Sequence, residues 1–89
     1  MNPPTSFDPA LLRLLCCPET RQPLAVAPLD LLIKLERQRE VGNLHNRAGL
    51  LLTEPIMEGL VRADGLLLFP VRNGIPLLVA DEAVMVPKQ

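Results

Sequence analysis

The dipeptide Asn73-Gly74 lies between two short apolar runs, residues 66–71 and 75–79. Both residues of the dipeptide tolerate a positive φ angle, which the tight turns of β-hairpins require. The apolar runs on either side have the length and composition of strands. The pattern therefore predicts a β-hairpin near the end of the chain, and with it a fold that contains an antiparallel sheet.

Two prolines inside this hairpin restrict its pairing. A two-residue turn sets Val71 opposite Pro76, and the missing N–H of Pro76 then points away from the partner strand. Pro70 would face Leu77 and would leave one bond of the ladder unmade, which predicts either a bulge near Pro70 or a longer loop. We therefore expect strands that are not fully paired on both sides. An available edge of this kind is a place where another chain can add a strand.

The rest of the chain divides into short elements at prolines and glycines. Asp8 and Pro9 have the character of a helix start, and Gly42 that of a helix stop. Asp81 and Glu82 favour a last short helical turn. The expected elements are a flexible lead (1–7), a helix (9–15), a strand (22–28), an amphipathic helix (29–43) and antiparallel strands within 50–79 (50–54, 56–62, 66–71 and 75–79).

Composition limits the classes of function. The 89 residues predict one small domain, 1–89, and 48% hydrophobic residues suffice for a core. A net charge of −1 and an aromatic content of 2% disfavour direct nucleic-acid binding. No apolar run is long enough to span a bilayer, and no signal peptide is visible, so we expect a cytoplasmic protein with no membrane partner.

The stretch "LLCCPETRQPL" resembles half of a zinc knuckle. A structural zinc site needs four ligands, commonly paired as C-x2-C. Cys17 occupies the first ligand position, but Thr20 stands at the second, and His45 is the only other soft ligand beyond the neighbouring Cys16. We therefore expect a degenerate knuckle without metal. Cys17 could also act as a reactive thiol with His45 as its base, although no third orienting group is present.

Four stretches together resemble a known family. They are "LLRLLCCPETRQPL", "NRAG", "EGLVRADG" and "LFPVRNGIPLLVADEA", which cover roughly residues 9–86. The chain resembles the small activator subunit of tRNA and translation-factor methyltransferases, and equally the short bacterial relatives of that subunit. The run at 69–82 is the most specific part of the resemblance.

The resemblance implies a fold and a metal content. The fold is α+β: a small zinc-ribbon-like antiparallel β-sheet with a short N-terminal helix and an inserted amphipathic helix. Family members often carry zinc on two knuckles, and here Cys17 matches the first ligand. Thr20 replaces the second ligand, and the region 60–62, where a later thiolate is expected, has none. The chain therefore resembles a zinc-free member.

The implied function is not catalysis. The family subunit binds and stabilises a methyltransferase through a strand edge and apolar surface, and the methyl donor binds the enzyme, so no cofactor is expected on this chain. We expect partner contacts on the last hairpin. Two alternatives stay open: a self-associating structural protein, such as a homodimer, and a small enzyme that uses Cys17. The expected partner-binding residues are Phe69, Val71, Arg72, Ile75, Pro76, Leu77 and Leu78.

Overall fold

The computed structural model describes residues 9–86, so the expected flexible lead lies outside the described residues. Within them the chain forms a small α+β fold with one α-helix and a curled antiparallel sheet. The strands are β1 (Leu24–Val26), β2 (Gly59–Arg62), β3 (Leu67–Arg72), β4 (Ile75–Pro76) and β5 (Val84–Met85); helix α1 is Leu29–Glu40, and 3-10 helices span Pro9–Leu14 and Ala80–Glu82.

Strand β3 is the centre of the sheet. It pairs with β2 along one side, and β2 pairs in turn with β1. On its other side β3 pairs with two strands, with β4 at its C-terminal half and β5 at its N-terminal half. Five of its six residues are buried, as expected for a strand covered on both faces.

The two faces of the sheet support two core clusters. Alternate residues of a strand point to opposite faces, which places Phe69 on one face and Leu68 on the other. The first core cluster covers the face of Phe69 and the second covers the face of Leu68, where α1 packs through Leu32 and Leu35. The buried members of the first core cluster are Cys17, Leu24, Leu60, Leu67, Phe69, Val71 and Ala83. Those of the second are Ala27, Leu32, Leu35, Leu44, Ile56, Leu68 and Val84.

The hairpin predicted from Asn73-Gly74 is confirmed. Asn73 and Gly74 have φ angles of 51° and 77°, and Val71 lies opposite Pro76. The N–H of Leu77 donates to the carbonyl of Pro70 at 2.9 Å, while Pro70 has no N–H to return. The turn has two residues, and the pairing continues in register through Pro70. The expected bulge or longer loop is therefore wrong, because the ladder loses only one bond.

The expected strand at 50–54 is also wrong. Its pairing is limited to an isolated bridge between His45 and Leu51. The N–H of Leu52 donates to Leu44 at 2.8 Å, and the N–H of Asn46 donates to Leu50 at 3.0 Å. These bonds form a tight hairpin-like turn over 44–52. No longer strand forms because Asn43 already bonds back to the end of α1, which leaves no partner beyond Leu44.

The N-terminal helix and the inserted helix both differ at their ends from the predicted ranges. Helix α1 stops at Glu40, three residues before the expected end, because Gly42 adopts a φ angle of 72° and its N–H caps the carbonyl of Arg39 at 3.0 Å. The segment expected to be helical over 9–15 is a 3-10 helix over Pro9–Leu14.

The edge of β4 offers little for strand addition, contrary to expectation. The strand has two residues, and the outward-facing position is Pro76, which has no N–H to donate. This side of the sheet therefore presents few free backbone groups.

Within residues 9–86, no helix has both the length and the apolar character needed to cross a membrane.

Candidate functional site: a cleft between the last hairpin and the 50–58 loop

An open cleft lies between the last hairpin and the loop that precedes β2. Its volume is about 830 Å³. The hairpin provides one wall through residues 71–74 and Leu77, and the loop 50–58 provides the other. Asn46 and Glu82 also line it. We call this feature the cleft.

Two arginines hold the loop wall in place. Arg72 reaches across from the hairpin, and its Nη1 donates to the carbonyl of Pro55. Arg39 on α1 donates from Nη1 to the carbonyl of Thr53 at 3.1 Å, and its other guanidinium nitrogens bind Glu36. The loop backbone is thus anchored to both the sheet and the helix, so the cleft is a preformed feature.

The base of the loop wall is fixed by a buried amide. Asn46 is a nearly buried polar residue, and its Oδ1 accepts the N–H of Leu50 at 3.0 Å. The next residue, Arg47, donates its N–H to the carbonyl of Ala83 at 2.9 Å. These bonds tie the 44–52 turn to the start of β5, beside the core.

The loop wall exposes large apolar side chains. Leu50 is 66% exposed, Leu51 is 47% exposed and Met57 is 73% exposed. Isolated exposed apolar residues are ordinary, but a contiguous group beside a cleft is typical of an interaction site. A second, smaller apolar hollow of about 360 Å³ adjoins it, shares Pro55 and Met57, and extends onto α1 through Leu29 and Ile33. Methionine suits such surfaces because its side chain adapts its shape.

The charges of the lining are mostly acidic. Glu54, Glu58 and Glu82 line the cleft, and Arg72 is its one lining cation among the described residues. Arg72 is already engaged with Pro55. The cleft therefore combines apolar side chains with a negative rim.

The structure brings only part of the expected partner-binding set to this site. Val71, Arg72 and Leu77 line the cleft. Ile75 is exposed at the hairpin, and Pro76 beside it is half-buried. Phe69 and Leu78 do not belong to the cleft.

Phe69 cannot contact a partner, contrary to expectation. Its side chain is fully buried in the first core cluster, and Leu78 packs against the same cluster. The sequence alone left the core role of Phe69 open, because an aromatic side chain on a hairpin fits a core and a contact surface equally. The burial of β3 on both faces decides for the core.

The residues of the degenerate knuckle lie elsewhere in the fold. Cys17 is buried in the first core cluster, and Cys16 beside it is exposed. His45 is exposed in the 44–52 turn. Within residues 9–86, no three His, Cys, Asp or Glu side chains come together in a way that could hold a metal ion.

The loop wall and one arginine contact were missed in the sequence. The leucines at 50–52 were interpreted as part of a strand, although three consecutive leucines carry none of the alternation of a half-buried strand. The sequence marks Arg62 only as a position without the expected thiolate. In the structure its Nη1 lies 3.7 Å from the Sγ of Cys17. The available signal was an arginine in the region 60–62, where the family resemblance leads one to expect a metal-binding thiolate.

Comparison with known proteins supports the fold. No protein-family model and no curated protein matches the chain. The chain is similar to XF2673 from Xylella fastidiosa, a structural genomics target solved by solution NMR, with 29% sequence identity and a TM-score of 0.73. The similarity covers 93% of this chain and 92% of the other. The arrangement of one helix and a curled antiparallel sheet is thus shared with a structure determined by experiment.

Proposed function

We propose that this chain is a non-catalytic interaction module that binds and stabilises a partner enzyme, such as a methyltransferase. The observation that carries the proposal is the cleft, with its anchored walls and its exposed Leu50, Leu51 and Met57. A partner that covers these side chains gains the free energy of removing apolar surface from water, about 25 cal/mol per Å². The methyltransferase comes from the family resemblance of the sequence.

The proposal places the contact on side chains of the cleft and not on a strand edge. Leu77 of the hairpin and the leucines of the loop line the same cleft, so an apolar segment bound there would contact both walls. Arg72 positions the loop and is engaged within the chain. We infer that Arg72 acts on the partner indirectly, by keeping the cleft open.

The zinc-ribbon-like description of the fold belongs to the same proposal. It is supported by the tight turn after Cys17, in which the N–H of Cys17 donates to Gln22 at 2.9 Å and that of Arg21 donates to Cys17 at 2.8 Å. The free thiols of Cys16 and Cys17 agree with a cytoplasmic protein, where thiols stay reduced.

The proposal is tested by recovery and reconstitution. The tagged protein is expressed in its native host, and the proteins that co-purify are identified by mass spectrometry. We expect a methyltransferase in near-equal amount, and we expect the purified enzyme to lose activity more slowly on storage when this chain is added. Leu77→Glu should abolish both effects while the circular dichroism spectrum is unchanged.

Two results would contradict the proposal. A stable homodimer by sedimentation, with no affinity for other chains, would favour the self-associating alternative. Alkylation of a thiol faster than that of a free peptide thiol, together with a catalysed reaction that Cys17→Ser abolishes, would favour the enzyme alternative. Both measurements use the full-length chain.

A further inference from the structure

The sulfur of Cys17 is surrounded by hydrogen-bond donors. Its side chain is fully buried, and hydrogen bonds from the hydroxyl and the N–H of Thr20 and from the N–H of Glu19 lower the pKa of its thiol. The Nη1 of Arg62 approaches the same sulfur at 3.7 Å. A guanidinium beside a buried sulfur, together with these hydrogen bonds, stabilises the thiolate relative to the thiol.

Arg62 joins this sulfur to a carboxylate. Its Nε donates to Oδ1 of Asp64 at 2.9 Å, and its Nη2 lies 2.7 Å from Oδ2. The Arg62 side chain is only 11% exposed. One guanidinium therefore bridges two anionic groups, with a bidentate contact to the carboxylate that fixes its orientation.

The bridge connects two turns that are distant in the sequence. The Nε2 of Gln22 donates to Oδ2 of Asp64 at 3.2 Å, and the N–H of Asp64 donates to Oε1 of Gln22 at 3.0 Å. The turn 17–22 is thereby fastened to the turn 62–66. We call Cys17, Thr20, Gln22, Arg62 and Asp64 the Arg62 cluster.

The Arg62 cluster does not fit a zinc ion. A zinc site at Cys17 needs further thiolate, imidazole or carboxylate ligands around one point. The groups that approach the sulfur are instead a hydroxyl, backbone N–H groups and a guanidinium, and all of them act as donors. A divalent cation beside Arg62 would also be repelled by the guanidinium charge.

We propose that Arg62 is an internal cation that takes the place of a metal ion, binding the Cys17 thiolate and the Asp64 carboxylate so that the two turns close without zinc. In a zinc knuckle the metal supplies the positive charge and the cross-link. Here one side chain supplies both, because its nitrogens reach both partners.

The ionisation of the three groups agrees with this role. Burial raises the pKa of the Cys17 thiol, but the hydrogen bonds from Thr20, Arg62 and Glu19 outweigh burial and lower this pKa from 9.0 to about 7. The hydrogen bonds from Arg62 hold the pKa of Asp64 at about 2. The pKa of Arg62 is raised by Asp64 first and by Cys17 second. The other charged groups on the elements around the sulfur are Arg13, Glu19 and Arg21.

Thiolate absorbance tests the proposal directly. The variant Cys16→Ser leaves one thiol, and its titration is followed at the thiolate band in the near ultraviolet. We expect a midpoint near the value of about 7 in this background and a midpoint shifted toward 9.0 when Arg62→Gln is added. Arg21→Gln, which removes an exposed cation from the same turn, should leave the midpoint nearly unchanged. An equal midpoint with and without Arg62→Gln would overturn the proposal.

Arg62→Lys covers the case in which Arg62→Gln fails to fold. Lysine keeps the charge but loses the bidentate fork. We expect Arg62→Lys to fold with a midpoint between those of the parent and a free thiol. A midpoint identical to the parent would show that the fork, and with it the bridge to Asp64, is not needed.

Cobalt binding supplies an independent readout. Co²⁺ substitutes for Zn²⁺ and shows a thiolate charge-transfer band when cysteine binds it. We expect no such band with the natural chain, because the groups around the Cys17 sulfur are hydrogen-bond donors and a guanidinium. A band with the natural chain would contradict the placement of Arg62 at a metal position. None of these results depends on whether the cleft binds a partner.

Discussion

The Arg62 cluster and the cleft solve the same structural problem in opposite ways. In both, an arginine fastens a loop to the sheet. Arg62 binds the carboxylate of Asp64 and lies beside the buried sulfur of Cys17, so the turns that carry these two residues are joined. Arg72 binds a backbone carbonyl of Pro55, and the side chains next to that contact remain exposed. Arg62 therefore lies in a buried cluster, whereas Arg72 supports a cleft that is open to solvent.

This difference separates stability from recognition. Cys17 of the Arg62 cluster belongs to the first core cluster, so changes there should alter the free energy of unfolding. The loop wall of the cleft carries the exposed side chains Leu50, Leu51 and Met57, which belong to neither core cluster, so changes at these three should alter partner binding with little effect on folding. Substitutions in the core, at the Arg62 cluster and in the cleft should therefore have different effects.

Leu60→Ala should destabilise the protein most. Leu60 is fully buried in the first core cluster beneath the Arg62 cluster. Removing a buried leucine side chain costs about 2–5 kcal/mol, because transfer free energy is lost and a cavity remains. Urea denaturation measures the change. The matched variant Leu14→Ala, at a leucine that is 79% exposed, should lie within about 0.5 kcal/mol of the parent.

Gly59→Ala should destabilise by overpacking. A Cβ built at Gly59 would lie 2.7 Å from Cδ2 of Leu68, a side chain that is itself fully buried. We expect a loss of about 1–3 kcal/mol in the free energy of unfolding. Combining Gly59→Ala with Leu68→Ala should cost less than the sum of the two single changes. Strict additivity would show that the two residues do not compete for the same space.

The stability contributed by Cys17 should depend on pH. Its folded pKa of about 7 lies below 9.0, so the folded state favours the thiolate. A lowered acid pKa gives stability that is fully present above the unfolded value and is lost as the pH falls through the folded value. The free energy of unfolding, measured relative to Cys17→Ser, should therefore rise between pH 7 and pH 9. A flat difference over this range would argue against a thiolate in the Arg62 cluster.

Arg72→Gln should loosen the loop wall with a smaller cost in stability. The lost contact is a charge-assisted hydrogen bond at an exposed site, where solvent screening limits its value to about 0.5 kcal/mol. We expect faster hydrogen exchange at residues 53–57 and an unchanged exchange rate in β2. Equal exchange rates in the parent and the variant would mean that Arg72 does not hold the loop.

The sequence predicts the parts of the fold that depend on local geometry. Asn73 and Gly74 specify the last turn because few other residues adopt their φ angles, and the register of Val71 with Pro76 follows. The leucines of the loop wall were misassigned because their exposure depends on what α1 and the hairpin leave uncovered. The role of Arg62 depends on a contact with Cys17 across 45 residues of sequence, which no local pattern contains.

Partner capture by two matched variants measures whether the cleft is the binding surface. Leu50→Glu changes the wall of the cleft, and Leu14→Glu makes the same change at an exposed site that does not line the cleft. Both should unfold within about 0.5 kcal/mol of the parent, because neither side chain is buried. We expect Leu14→Glu to recover the methyltransferase in near-equal amount and Leu50→Glu to recover none. Equal recovery by both folded variants would contradict the account, because the partner would then bind outside the cleft.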